Sequence, residues 1–210
     1  MLRLAIFCCL LVSSTSAKIN ETEICDDIAA IKAQVSNVLA DLEAKFTFCE
    51  IAYPSSCSAD STNSSEILIR VPEYSVKPFE VACDQQNVGG GWTIILRRTD
   101  GSEDFYRGWA DYKAGFGQLS NEFFLGLDKI NALTNAKTQE LLVMLQDFSG
   151  NEVYETFDNF RIGNEHSNYT LESIGTARGN AGDSLAYHVG KPFGTKDRYY
   201  GDPKHNCCDV

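Results

Sequence analysis

The stretch from Val81 to Gly126 constrains this chain more than any other. It reads V-A-C-D-Q-Q-N-V-G-G-G-W-T-I-I-L-R-R-T-D-G-S-E-D-F-Y-R-G-W-A-D-Y-K-A-G-F-G-Q-L-S-N-E-F-F-L-G. Cys83 ends one extended run, and Gly89 to Gly91 turn the chain into a second, Trp92 to Leu96. A polar turn at Asp100-Gly101 follows, then a ring-rich segment, Phe105 to Phe116, that reads as a short helical piece. The rings of Trp92, Phe105, Tyr106, Trp109, Tyr112, Phe116, Phe123 and Phe124 are enough to seed a core, because each buries a large apolar area. Glycine runs also cradle phosphates. Here, however, no Lys-Ser/Thr pair follows the glycines, and the next residues are strand formers. Glycines that permit a sharp backbone turn explain the run better.

The N-terminus carries a targeting pattern. Arg3 precedes an apolar run, Leu4 to Val12, and small residues follow from Ser13 to Ala17. That order marks residues 1–17 as a secretory signal peptide cut after Ala17, and the run is too short to span a bilayer. Of the chain's 8 cysteines, Cys8 and Cys9 leave with the signal. Cys25, Cys49, Cys57, Cys83, Cys207 and Cys208 remain, and an oxidising compartment makes disulfides their default state. Sequons at Asn20, Asn63 and Asn168 are compatible with glycosylation. The formal net charge of −11 argues against a nucleic-acid phosphate partner or a basic membrane-surface module.

Residues 18–50 form a segment of their own. Ile24, Ile28, Ile31, Val35, Val38 and Leu42 alternate at spacings of four and three, a seam about three heptads long. Glu21, Glu23, Asp26 and Asp27 lie where a helix N-terminus favours negative charge. One reading is a short coiled coil that makes a homo-oligomer through residues 24–42, with Cys25 and Cys49 as interchain disulfide candidates. The other is an amphipathic helix packed on its own domain. Pro54 and Ser55-Ser56 mark the entrance to a domain running from residue 54 to 210.

Within that domain, Ile67–Val71 and Phe79–Cys83 read as short strands. Leu127–Ala136 reads as a helix, with Leu127, Ile130 and Leu133 at helical spacing. Glu140–Asp147 is apolar on both faces, which predicts a central strand. Ser149-Gly150-Asn151 predicts a hairpin turn, and Val153–Ile162 and Tyr169–Ile174 further strands. The sum is an α+β domain, an antiparallel sheet with helices to one side. Asp183, Ser184 and His188 lie close in sequence and have the residue types of a hydrolase triad, but a triad is a spatial arrangement and no G-x-S-x-G elbow is present. The residues by themselves single out no catalytic set.

Taken together, Cys83, the GGGWT run, R-R-x-D-G-S, D-F-Y-R-x-W-x-x-Y-K-x-G-F-G and E-F-x-L-G resemble the fibrinogen C-terminal domain family, which includes fibrinogen chains, ficolins, tachylectins and angiopoietin-like ligands. The resemblance continues through Ala181-Gly182-Asp183-Ser184-Leu185, a structural element in that family, to Asn206-Cys207. It implies an intrachain bridge between Cys57 and Cys83. It also implies a calcium loop at Phe193–Cys207, with a pocket for acetylated sugars just beyond. Asp197 falls on the loop's first carboxylate, but the next two fall on Tyr199 and Gly201, and Asp202 is displaced by one residue. Calcium takes six to eight oxygens, mostly from carboxylates, so Asp197 and Asp202 are the candidate ligands of a degenerate, weak site. Family members continue past the N-C motif with a W-W-Y segment, a cysteine partner for Cys207 and much of the pocket. The chain is expected to lack that last part. Cys207 and Cys208 are then left to pair with each other, to cross-link chains or to stay free. The resemblance implies a secreted, non-enzymatic recognition protein for glycans or acetylated surface groups, in innate defence. The alternative is an extracellular signalling or adhesion ligand with a protein receptor, or a regulatory chain that joins longer relatives.

Overall fold

The computed structural model describes residues 21–51, 53–59 and 65–201, with side chains in the N-terminal helix described from 27 to 43. The signal segment, Asn20, Asn63, Asp202, Cys207 and Cys208 lie outside the described residues, as do the side chains of Cys25 and Cys49. The chain divides into two units, Met1–Cys49 and Glu50–Val210. The first unit is dominated by α1, Glu21–Ile51. Its heptad side chains are open to solvent: Ile28 is 48%, Ile31 58%, Val35 54%, Val38 59% and Leu42 56% exposed. Among the described residues no helix is long and apolar enough to cross a membrane.

Among its described residues the second unit is built from three small antiparallel sheets. The first contains β1 (Glu66–Ile69), β2 (Phe79–Asp84) and β3 (Trp92–Ile94) in that order. It is tied to the preceding turn by the Cys57–Cys83 disulfide, whose Cα atoms are 5.6 Å apart. The glycine run between β2 and β3 takes positive φ throughout, and a Cβ on Gly90 would stand 2.5 Å from the Gln85 carbonyl oxygen. Only glycine relieves both constraints at once.

The run Trp92–Leu96 is not one strand. It breaks at Ile95, whose carbonyl accepts the Leu125 N–H at 2.9 Å, and β4 (Leu96–Arg97) enters a second sheet. There it pairs with β6 (Phe123–Phe124), which also pairs with β5 (Phe116–Gly117). The helical part of the ring-rich segment is α2, Trp109–Ala114, shorter than the sequence suggested. Gly108 and Gly115 flank it as caps, and glycine at such positions ends a helix readily.

Helix α3 spans Leu127–Ala136 and buries Leu127, Ile130, Ala132 and Leu133 on one face. It packs beside the third sheet, whose order is β10 (Ala177–Gly179), β8 (Glu152–Ile162), β7 (Gln139–Gln146), with β9 (Leu171–Ser173) also on β8. The β7–β8 hairpin closes through Asp147, whose N–H donates to the Asn151 carbonyl and whose carboxylate accepts from Ser149 and Asn151 N–H groups. The stretch 140–147 is expected at the centre of a sheet; among the described residues β7 pairs on one side only, with β8, and Met144 is 42% and Leu145 55% exposed.

Most of the expected ring cluster forms. Phe123, Phe124 and Trp109 are buried, with Phe105, Tyr112 and Phe116 packed against them. Tyr112 sits 5.1 Å from Phe116, 5.0 Å from Phe124 and 5.3 Å from Phe193, all ring centroid distances. Edge-to-face rings at such spacing add to their area burial. Two rings are displaced from the core. Tyr106 is 51% exposed, and Trp92 is half-buried, with its indole N–H on the Asn87 carbonyl.

Candidate functional site

The site is assembled where the Phe193–Gly201 segment folds back on α2. Helix α2 begins at Gly108, which has no side chain to cap it. The cap comes from Asp197, far along the chain: its Oδ1 accepts the Trp109 N–H at 2.8 Å and the Thr195 hydroxyl at 2.7 Å. A Cβ on Gly108 would lie 2.7 Å from the Asp197 Oδ2, so a bare backbone is required there. The Thr195 hydroxyl first, and the Trp109 amide second, hold the Asp197 carboxyl below the usual aspartate range. Thr195 and Arg198 close the turn with reciprocal backbone bonds of 2.9 and 3.0 Å.

Asp197 is therefore placed as a helix cap. It is the only carboxylate between Phe193 and Gly201, and among the described residues no three His, Cys, Asp or Glu side chains gather as a metal group would need. Calcium needs several oxygens around one ion, so the described part of this loop does not fit the metal. Asp197→Ala is expected to lower Tm by roughly 2–4 °C. Asp197→Asn, which keeps an acceptor oxygen, should lose less. Thermal melts of the two variants check this, and equal losses would rule out the capping role.

Behind the cap stands a box around Trp109. Its indole N–H donates to Glu165 at 3.1 Å, and the second Glu165 oxygen accepts from Lys113. Lys113 lies 3.7 Å from Asp128, which accepts the Tyr169 hydroxyl. Tyr169 is buried and takes a positive φ of 47°, a conformation that bulky residues seldom hold unless their surroundings fix them. Burial, and then the bond to Asp128, pushes its phenol well above the normal range. Lys113 and then Trp109 hold the Glu165 carboxyl low, and Glu165 first of all raises Lys113. Over the open face of Trp109 lies the Arg198 guanidinium, 4.0 Å from the ring. Arg198 also donates to the Asn168 Oδ1 at 3.0 Å, and the Tyr200 hydroxyl donates to the same oxygen at 2.7 Å. The half-buried sequon residue Asn168 thus belongs to this network. Sequence reading did not single out Glu165, Asn168 or Arg198 as site partners. Their one signal was the tryptophan of the D-F-Y-R-x-W motif, which needs an acceptor for its N–H.

Beside the box runs an open groove of about 660 Å³, lined among others by Arg98, Ser102, Phe105, Tyr106, Thr195 and Lys196. Each cation sits over a ring: Arg98 is 4.0 Å from Phe105 and Lys196 4.3 Å from Tyr106. Lys196 also donates to the Tyr106 carbonyl at 2.6 Å. One buried carboxylate shapes this wall. Glu122, 2% exposed, accepts the N–H groups of Thr99, Asp100 and Gly101 on one oxygen and that of Glu103 on the other. Those backbone donors, led by Glu103, lower its pKa to about 2.

Rings beside hydrogen-bonding groups in an open groove suit reversible binding. Asp183 accepts the Leu185 and Ala186 N–H groups at 2.9 Å each, and Gly182 donates to Glu155 at 2.9 Å. The A-G-D-S-L segment therefore shapes a turn.

The profile described as "Fibrinogen beta and gamma chains, C-terminal globular domain" matches residues 54–210. The chain belongs to the fibrinogen C-terminal domain family. Among its relatives, human angiopoietin-related protein 2 is 43% identical over 148 residues, 70% of this chain and 30% of that protein. Ryncolin-4 of Cerberus rynchops is 45% identical over 142 residues, 65% of this chain and 41% of that one. The chain thus spans less than half the length of these relatives. The fibrinogen-like globe domain of human ANGPTL2 superposes with a TM-score of 0.65 at 41% identity, covering 69% of this chain and 68% of that one. The fibrinogen-like fold of antiparallel sheets and few helices, expected from the motif set, is thereby established.

Proposed function

We propose that this chain is a secreted, non-enzymatic recognition protein of innate defence that binds glycans or acetylated surface groups. The observation that carries the reading is the groove beside α2, where the Tyr106 and Phe105 rings and the Arg98 and Lys196 cations share one wall system. Sugar rings stack on aromatic faces through their C–H surfaces, and their hydroxyls and acetamides need donors and acceptors nearby. The signal pattern at residues 1–17 and the Cys57–Cys83 bridge support secretion, since disulfides persist in oxidising compartments. Glycans on Asn20, Asn63 and Asn168 belong to the same reading. The exposed seam of α1 supports a homo-oligomer through residues 24–42, joined at Cys25 or Cys49, and linked weak sites gain avidity. A non-reducing gel that shows a single monomer band, unchanged by reductant, removes the interchain bridges.

The mature chain passed over N-acetylglucosamine resin tests the groove. Retention is expected in calcium and in chelator alike, because Asp197 serves α2 in either buffer. Tyr106→Ala, at an exposed position, is expected to weaken retention about tenfold. Flow-through of the folded protein in both buffers overturns the reading. A second reading, an extracellular signalling or adhesion ligand with a protein receptor, is favoured by the 43% identity to angiopoietin-related protein 2. Flow-through from the resin together with saturable binding to cell surfaces selects it.

A further inference from the structure

Helix α1 carries more than a narrow seam. Taking Ile28, Val35 and Leu42 as the a positions of a heptad places Ile24, Ile31 and Val38 at d, and Lys45 at the next d position ends the seam. From 27 to 43 every side chain of this helix is exposed. Leu39, at e, is 54% exposed and widens the apolar stripe beyond a and d. Left open, the stripe gives the helix none of the packing on which most helical stability depends. A stripe wider than a and d alone suits a bundle of more than two helices. The g positions, Asp27, Gln34 and Asp41, are polar, so the stripe widens on one flank only, which fits three strands better than four.

We infer that three copies of this chain pack through α1, parallel and in register, which rests on the homo-oligomer reading above and fixes its strand number and direction. Every seam residue from Ile24 to Val38 is β-branched, so every d position is. Two-stranded parallel coils favour leucine at d, whereas isoleucine at both a and d shifts the preference to higher strand numbers. The flanking charges set the direction. In a parallel bundle a g residue meets the e residue five positions on in the adjoining helix, so Asp27 faces the partner's Lys32. Antiparallel pairing of the same six seam residues sets Asp27 against the partner's Asp41 and Lys32 against the partner's Lys32, and like charges then meet on both flanks. A threefold axis also requires the helices to run the same way. The three domains that follow then leave from one end of the bundle, and three grooves act together on a repetitive surface.

Sedimentation equilibrium of the mature full-length chain carrying Cys25→Ser and Cys49→Ser tests the strand number, because association then reports packing alone. A species of three protomers is expected. Ile24→Leu, Ile31→Leu and Val38→Leu together, which place leucine at every d position, are expected to convert it to two protomers. Two or four protomers before those changes overturn the three-stranded bundle and leave the homo-oligomer reading standing. A monomer at every concentration overturns both. Asp27→Lys tests the direction. It is expected to weaken association about tenfold, and Asp27→Lys with Lys32→Asp to restore it. Unchanged or tighter association in Asp27→Lys overturns the parallel direction, because an antiparallel lysine would face the partner's Asp41. Retention on the sugar resin is measured separately, so these outcomes leave the groove's reading to its own test.

Discussion

Replacing Cys57 and Cys83 together by alanine is expected to lower the unfolding free energy by about 3–4 kcal/mol, the chain-entropy value for a loop of this length. The bridge closes a separation of 26 residues and ties the domain entrance to β2. Both cysteines are buried, Cys57 at 0% and Cys83 at 6% exposure, so the bridge is closed inside the core. Alanine removes two buried sulfur atoms together with the crosslink, so lost packing adds to the lost loop constraint. Urea unfolding of the paired variant against the parent measures it. A midpoint shift indistinguishable from zero, with an unchanged slope, would show that the entrance is held by packing alone.

Glu122→Gln is expected to be the most damaging isosteric change, lowering Tm by roughly 5–10 °C. The glutamine keeps the size but turns one acceptor oxygen into a donor facing backbone N–H groups. The residues from Thr99 to Glu103 then lose an anchor, and with them one wall of the groove. The pH dependence separates this from a general packing defect. The carboxyl titrates near 4.5 when unconstrained and at about 2 in the fold. Its contribution to stability is therefore complete above pH 4.5 and is lost as pH falls through about 2. The Tm gap between parent and Glu122→Gln should be constant above pH 4.5 and close progressively below it. A gap that stays the same from pH 7 to pH 2 would assign the loss to shape and not to charge. Because the groove wall depends on this anchor, retention on N-acetylglucosamine resin should fall in the same variant at neutral pH.

The elements with strong local signals were legible from residues alone. Leu127–Ala136 is helical because its apolar side chains repeat at helical spacing against one core face. The Ser149-Gly150-Asn151 turn forms because Asp147 and Asn151 bond across it within five residues. The break at Ile95 was not legible, since Trp92–Leu96 reads as an unbroken run of strand formers. It arises because Leu125, thirty residues on, takes the Ile95 carbonyl. The role of Asp197 was equally hidden. In the sequence it stands at the head of a degenerate calcium motif, whereas its partner is the first amide of a helix 88 residues away.

Composition and local pattern determined that the body would be a ring-rich α+β unit with a helical arm, and the family resemblance implied the early cysteine staple. The unit and the arm depend on side-chain volume, periodicity and the conformational freedom of glycine, all carried by neighbouring residues. Only the tertiary structure decided that Glu122 gathers four backbone amides and that Arg198 covers the face of Trp109. Each of these is a pairing between segments far apart in the chain. A strand's period reports which faces are apolar, and a carboxylate's identity reports what it can accept. Neither reports which distant partner will arrive, because that is settled by how the sheets and helices close around the shared core.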